Sequence, residues 1–156
     1  MRTLYGMTIN VRRILVPLDF SDAVAPILDW AIHLAEEHGS ELMLLHVYHL
    51  PVEFQQIEGA YLPADFWANV KQEAEQQLTA LAERARGRGV QVVQHVREGY
   101  PATVIVDEAT ELGADLVVIG THGHTGLKHL LLGSIAERVV QKAPCPVLTV
   151  RATDPA

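Results

Sequence analysis

Five short apolar runs along the chain alternate with segments that carry the hydrophobic spacing of amphipathic helices. Each run is bounded by glycine, proline or polar residues and has the length of a strand. The runs cover residues 12–18, 41–48, 90–98, 114–120 and 146–151. Because a continuous apolar run indicates a strand that is buried on both faces, the pattern predicts a parallel sheet.

Four helices are predicted between these strands, over residues 22–38, 64–89, 101–113 and 133–143. Ser21 offers a cap for the first helix, Gly39 a stop, and Pro101 suits the first position of the third helix. The alternation predicts an α/β fold: an open, doubly wound, five-stranded parallel sheet with helices on both faces, in a single domain. We expect this domain to cover residues 11–151, between an N-terminal extension (1–10) and a short tail (152–156).

Composition and charge narrow the class of protein. The 156 residues are 49% hydrophobic and 20% charged, as in an ordinary globular domain. A formal net charge of −7 without a long basic run argues against general binding to nucleic acid or to an anionic membrane. The one cysteine, Cys145, suits a reducing compartment. Since the chain shows neither a signal-peptide pattern nor a membrane-spanning apolar run, we expect a cytoplasmic protein.

The segment GTHGHTGLKHLLLGS, residues 120–134, joins the fourth strand to the last helix and contains four glycines and three histidines. Glycines allow the backbone to approach a ligand, and successive N–H groups can form a concavity for an anion. Gly133 and Ser134 open the last helix, whose free N–H groups and dipole favour phosphate. These features indicate a phosphate-binding loop.

Two other strand ends are expected to meet this loop. Ligands of doubly wound sheets bind beyond the carboxyl ends of the strands, near the switch in strand order. Pro17, Leu18 and Asp19 follow the first strand, and Val47 closes the second. Asp19 suits either a cap for the next helix or a contact to a ribose or to a metal-bound water. The pattern therefore predicts one site rather than three unrelated loops.

Other interpretations of the loop are weaker. A Walker A loop needs Gly-Lys-Ser/Thr at the helix start, and a Rossmann fingerprint needs its glycines after the first strand; neither pattern is present. His122, His124 and His129 suggest a metal, but H-x-H without carboxylate or thiolate partners at ligand spacing is a weak zinc signal. The glycines could also serve only to permit turns in a flexible connection.

The spacing G-x-x-G-(nine residues)-G-Ser, together with ILVPLDFS near the start and PCPVLTVR at the end, resembles the universal stress protein family. The resemblance extends over residues 13–151 and implies a dimer and, in the branch with this motif, an ATP site with Mg²⁺ held mainly through the phosphates. It implies that Pro17, Leu18, Asp19 and Val47 line the adenosine end. It assigns the ribose and phosphates to Gly120, Thr121, His122, Gly123, His124, Thr125, Gly126, Gly133, Ser134, Ile135 and Ala136. Residues 47–66 do not align with a family pattern.

Three functions remain open at this point. An ATP-binding, nucleotide-responsive regulator of the stress response is the leading one. A slow ATP hydrolase, or an enzyme acting on a nucleotide-like substrate, is the second, with His122 or His124 orienting a water molecule. A dimeric scaffold without nucleotide is the third. No catalytic group and no dedicated metal ligand is assigned, because the spacing shows neither a Ser-His-Asp arrangement nor an evident general base.

The last strand, residues 146–151, is expected to form the dimer interface. It closes the chain and should lie at an edge of the sheet, with Val147, Leu148 and Val150 apolar and Arg151 as its charged end. An unprotected apolar edge is a template for pairing with another chain. Two copies related by a two-fold axis would pair these strands antiparallel. The alternative is a monomer in which the long connection predicted over residues 49–63 covers this edge.

Overall fold

A computed structural model describes residues 3–4, 7–49, 58–59, 62–122 and 131–152. The strands of the main sheet are β1 (Arg13–Pro17), β2 (Glu41–Tyr48), β3 (Val92–Glu98), β4 (Leu116–Gly120) and β5 (Val147–Val150). The described helices are α1 (Val24–His38), α2 (Phe66–Arg86), α3 (Pro101–Glu111) and α4 (Ser134–Lys142). Ahead of the sheet, Thr3–Leu4 pairs antiparallel with Met7–Thr8.

The five strands form one sheet in the order β3-β2-β1-β4-β5, and every neighbouring pair is parallel. The chain builds the sheet outward from β1 to β3, then crosses back to place β4 on the other side of β1. The order therefore reverses between β1 and β4, which is where doubly wound sheets bind their ligands. The fold class predicted from the sequence is confirmed.

The sheet separates two apolar cores, one on each face. On the first face, Leu28 of α1 and Leu78 of α2 are fully buried against Val16 and Leu44. On the second face, Val139 of α4 is fully buried in the cluster that contains Leu15, Leu45 and Val117 of the sheet. Burial of each such side chain contributes about 1.5–3 kcal/mol, so both faces hold the strands in register. The two-sided burial explains why the central strands β1, β2 and β4 are continuous apolar runs, whereas β3, at an edge of the sheet, contains no buried residue.

The start of α1 differs from the sequence prediction. The helix begins at Val24, with Ala23 at the cap position and no side-chain capping bond, so the prediction of Ser21 as the cap is wrong. The N–H of Ser21 instead donates to Oδ1 of Asp19 at 3.0 Å, and its carbonyl oxygen accepts the N–H of Val24 at 3.1 Å. An aspartate turn has taken the place of the first helical turn. Gly39 ends α1 in the left-handed conformation (φ 66°), as predicted.

The remaining boundaries agree with the prediction within a few residues. α3 begins at Pro101, and β5 lies at an edge of the sheet, both as expected. α2 begins at Phe66 rather than at residue 64, because the Phe66 N–H bonds to the carbonyl oxygen of Pro63 in a turn. Most of the predicted connection 49–63 lies outside the described residues. Within the described part of the chain, no helix is long and apolar enough to cross a membrane.

Candidate functional site

The carboxyl ends of β1 and β2 are fastened to each other beyond the last ladder pair. Pro17 is buried and pairs with Leu45, and the N–H of Leu18 donates to the carbonyl oxygen of Leu45 at 2.8 Å. The side chain of Leu18 belongs to the core, with 4% of its surface exposed. Val47 lies two residues beyond Leu45 in β2 and is half-buried. The structure therefore brings the residues predicted from these two strands to one edge of the sheet.

A turn after β1 presents Asp19, and its shape is fixed by contacts with β2. The carbonyl oxygen of Leu18 accepts a hydrogen bond from Nδ1 of His46 at 2.8 Å, which places the ring proton on Nδ1. The ring of Phe20 stacks on the ring of His46, with centroids 4.3 Å apart. Phe20 has a φ of 60°. This conformation is unfavourable for any residue other than glycine, and it is retained where the surroundings impose it.

Ser21 contributes a polar atom that the sequence did not point to. Its Oγ is buried and has no hydrogen-bond partner among the residues the structure describes. A buried hydroxyl without a partner costs about 1–3 kcal/mol, so such a group is normally satisfied by water or by a ligand. The signal in the sequence was only the serine of ILVPLDFS, which helix-capping rules assigned to another role.

Thr121 forms the junction between β4 and the loop. Its side chain is buried, its N–H donates to the carbonyl oxygen of Val150 at 3.0 Å, and its Oγ1 lies 3.1 Å from Nδ1 of His122. Its carbonyl oxygen accepts the N–H of Gly133 at 2.6 Å. The two ends of the loop are thus joined by a hydrogen bond, and α4 begins directly beyond the carboxyl end of β4.

The first turn of α4 leaves donors directed away from the helix. Its first intrahelical bond runs from the N–H of Glu137 to the carbonyl oxygen of Gly133, at 2.9 Å. The N–H groups of Ser134, Ile135 and Ala136 precede that bond and have no acceptor within the helix. Ser134 is exposed, Ile135 half-buried and Ala136 buried, so the contribution of the last two is limited to the backbone.

Two loop glycines have a packing reason that sequence reasoning missed. A Cβ at Gly120 would lie 2.8 Å from Cδ1 of Ile27, and a Cβ at Gly133 would lie 3.1 Å from the carbonyl oxygen of Thr121. Gly133 has a φ of −68°, which any residue can adopt. The chain itself therefore fills the Cβ position of both glycines, and their contacts with ribose and phosphate stay a prediction.

Five loop residues named from the sequence lie outside the described residues: Gly123, His124, Thr125, Gly126 and His129. Within the part of the chain that is described, no three histidine, cysteine, aspartate or glutamate side chains come together as a metal site. His122 is described and half-buried, next to Thr121. The role of the loop centre stays a prediction.

The aromatic residues Tyr48, Phe66 and Trp67 join the end of β2 to the start of α2. The rings of Tyr48 and Trp67 lie with centroids 5.6 Å apart, and the Phe66 ring contacts Trp67 edge-on at 5.2 Å. Burial, and then the negative charges of Glu98 and Glu75, raise the pKa of Tyr48. The phenol therefore stays protonated at neutral pH and can donate a hydrogen bond.

The family model for the universal stress proteins matches residues 10–151. The chain belongs to the universal stress protein family. Among its relatives, universal stress protein YxiE of Bacillus subtilis is 38% identical over 145 residues, which cover 89% of this chain and 98% of YxiE. Universal stress protein MJ0531 of Methanocaldococcus jannaschii is 37% identical over 145 residues, which cover 90% of this chain and 82% of the relative.

Solved structures of relatives share the fold. The structure of MJ0577, a universal stress protein of M. jannaschii, superposes with a TM-score of 0.80 at 29% identity, covering 93% of this chain and 99% of that one. A universal stress protein from Archaeoglobus fulgidus in complex with dAMP superposes with a TM-score of 0.63 at 26% identity, covering 91% and 98%. Family membership and the five-stranded sheet are thus established together.

Proposed function

We propose that this universal stress protein binds an adenine nucleotide, ATP with Mg²⁺, and acts as a nucleotide-responsive regulator in the stress response. The observation that carries the proposal is the hydrogen bond from the Gly133 N–H to the Thr121 carbonyl oxygen, at 2.6 Å. Because this bond brings the start of α4 to the switch between β1 and β4, the positive end of a helix faces the edge where such sheets bind ligands. The dAMP complex of the A. fulgidus relative supports a nucleotide as the ligand.

At the adenosine end, the proposal assigns different tasks to the four residues. The backbone of Leu18 is hydrogen-bonded to Leu45 and His46, and its side chain lies in the core. Leu18 and the adjacent Pro17 are therefore proposed to position the site without contacting the ligand. Asp19 and Val47 are half-buried and remain the candidates for contacting ribose and base. The orphan hydroxyl of Ser21 adds a further donor two residues after Asp19.

At the phosphate end, most of the proposed hydrogen bonds come from backbone donors. The N–H groups of Ser134, Ile135 and Ala136, with the Ser134 hydroxyl, would bind phosphate oxygens. Since the described residues bring no metal-binding cluster together, Mg²⁺ would be held through the phosphates rather than by a protein cage. Gly123, His124, Thr125 and Gly126 are proposed to complete this end.

We also propose that the protein is a homodimer that pairs through β5. The N–H of Val117 donates to Pro146 and that of Thr121 to Val150, so the carbonyls of residues 146 and 150 point toward β4. By strand alternation, Val147 and Thr149 direct their N–H and C=O groups to the open edge. These groups are a template for a second copy of β5.

The flank of α4 beside this edge supports the same interface. Val140 is 45% exposed, and helical spacing places it opposite Arg138 and Lys142, away from α3. Because α4 covers β5 at the edge of the sheet, Val140 lies where a second copy would pack. For such a dimer, we propose a cytoplasmic location, in keeping with the single half-buried Cys145.

Isothermal titration of Mg·ATP into nucleotide-stripped protein tests the proposed function. We expect saturable heat that ADP and AMP reduce by competition, and we expect Gly123→Val to weaken binding because a branched side chain would occupy the phosphate approach. An absence of heat and of competition at millimolar nucleotide overturns the proposal. Chromatography of the mixture distinguishes a regulator from a hydrolase: ADP that accumulates with repurified protein, and less with His122→Ala, favours the hydrolase.

A further inference from the structure

An open groove runs along α4, starting at the predicted phosphate end of the site. It has a volume of about 340 Å³, near the lower end of the range for ligand pockets. We call it the α4 groove. Its lining residues are all able to form hydrogen bonds: Tyr100, Ser134, Glu137, Arg138, Gln141 and Lys142.

The charged residues of the α4 groove are two cations, Arg138 and Lys142, and one carboxylate, Glu137. Residues four apart on a helix lie one above the other, so Ser134, Arg138 and Lys142 form a line that leads away from the start of α4. Among the described residues, neither Arg138 nor Lys142 forms an ion pair. Two unpaired cations in a protein of net charge −7 favour an anion that extends along the helix.

The opposite wall of the groove is an aromatic ring held on a fixed backbone. Tyr100 is the cap residue of α3, and its carbonyl oxygen accepts the N–H of Val104 at 3.0 Å. Its side chain makes no capping bond, and 56% of the residue is exposed. An exposed aromatic ring beside cations suits a base that stacks on the ring while its phosphates meet the cations.

We propose that the α4 groove binds the second nucleoside of a dinucleoside polyphosphate. This inference rests on the proposed function, since the first nucleoside occupies the adenosine end and Ser134 belongs to both sites. The phosphate chain passes from the first turn of α4 to Arg138 and Lys142, and the second base stacks on Tyr100. An acidic peptide would also meet the two cations, but Tyr100 and the shared Ser134 favour a nucleotide.

The test compares three ligands by isothermal titration: ATP, adenosine tetraphosphate and diadenosine tetraphosphate. We expect diadenosine tetraphosphate to bind about tenfold more tightly than adenosine tetraphosphate, which is the gain from one stacked base. Tyr100→Leu should remove this difference and leave ATP binding unchanged, whereas Tyr100→Phe should retain it. Trp30→Leu is the matched control, because Trp30 is a 51%-exposed aromatic residue on the other face of the sheet.

The cations are tested in the same way. Arg138→Gln should weaken the binding of both tetraphosphates, and Lys71→Gln, a charge change at an exposed position of α2, should weaken neither. The inference is overturned if the wild type binds the two tetraphosphates with equal affinity, or if the tighter binding of diadenosine tetraphosphate persists in Tyr100→Leu. The proposed function is unaffected by either result as long as ATP binds. A wild type that binds none of the three overturns the proposed function itself. If hexaglutamate competes with adenosine tetraphosphate, and diadenosine tetraphosphate binds no more tightly than adenosine tetraphosphate, the groove would be assigned to an acidic peptide.

Discussion

The N–H of Gly133 and the carbonyl oxygen of Thr121 are joined across 2.6 Å, which closes the glycine loop at its base. Thr121 is in turn bonded to Val150 of β5 and buried. The end of β4, the end of β5 and the start of α4 therefore form one rigid corner. A phosphate at this corner would meet donors whose positions the sheet already fixes, so little ordering would be needed on binding.

Gly120→Ala is expected to destabilise the fold by about 1–3 kcal/mol, because the new methyl group would lie 2.8 Å from Cδ1 of buried Ile27. Ile27→Val removes that atom at a cost of about 0.5–1.5 kcal/mol by itself. The double variant should then lose less unfolding free energy than the sum of the losses in the two single variants. Urea unfolding of the four proteins measures this coupling, and strictly additive losses would contradict the contact.

Ser134→Ala is expected to weaken nucleotide binding by about 1 kcal/mol, the value of one hydrogen bond to a charged group at an exposed position. Stability should change little, because the Ser134 side chain is exposed and makes no capping bond. Ser134→Thr keeps the hydroxyl and should bind like the wild type. Titration calorimetry compares the three proteins; an unchanged affinity in Ser134→Ala would remove this residue from the site.

The ends of β1, β2 and β4 could be located from the sequence because buried parallel strands are continuous apolar runs. The start of α1 could not, because Oδ1 of Asp19 accepts the N–H of Ser21 and folds residues 19–21 into a turn ahead of the helix. That outcome depends on the stack of Phe20 on His46, which joins residues 26 positions apart in the sequence. Capping rules see only neighbouring residues, so a turn held by another strand was beyond them.

The reasons for Gly120 and Gly133 were also outside the reach of spacing arguments. A glycine that borders a ligand and a glycine that borders Ile27 look the same in a sequence. The edge position of β5, which the sequence predicted, is confirmed by the strand order. That the backbone N–H and C=O groups of Thr149 point to the open edge, by contrast, follows from the hydrogen bonds between β5 and β4 and could be seen only in the structure.

Thr149→Pro is expected to split the proposed dimer. The N–H of Thr149 points to the open edge, so proline removes a donor for the second copy and leaves the bonds between β4 and β5 in place. A lysine at Val150 would be a poorer test, because Val150 is buried in the core with 5% of its surface exposed. Sedimentation at micromolar concentration should show a dimer for the wild type and a monomer for Thr149→Pro. A monomeric wild type removes the interface.

Acid should destabilise the protein through His95. The Arg97 guanidinium lies 2.8 Å from Oε1 of Glu108 and 3.2 Å from Nδ1 of His95, and since it can only donate, it requires a neutral ring. Burial and then the charge of Arg97 lower the pKa of His95, against smaller opposing effects of Glu108 and Glu41.

The sign follows from the lowered pKa. As pH falls below about 6.5, the unfolded chain takes up a proton at this residue before the folded protein does, so stability is lost from there down through the folded pKa. Urea unfolding between about pH 5 and 8 should show a smaller acid loss in His95→Gln than in the wild type. The same loss in both proteins would mean that His95 does not contribute.

Backbone amide shifts measured by NMR test whether a nucleotide binds at the carboxyl edge of the sheet. On addition of Mg·ATP, we predict saturating shifts at the carboxyl edge of the sheet, at Asp19, Val47, Thr121, Ser134 and Ile135. The amino edge is an internal control. There the N–H groups of Arg12 and Arg13 donate to Oδ2 of Asp115, and the amide shifts of these three residues should stay unchanged. Shifts confined to that amino edge, or no shifts at millimolar nucleotide, would rule out the proposed nucleotide site.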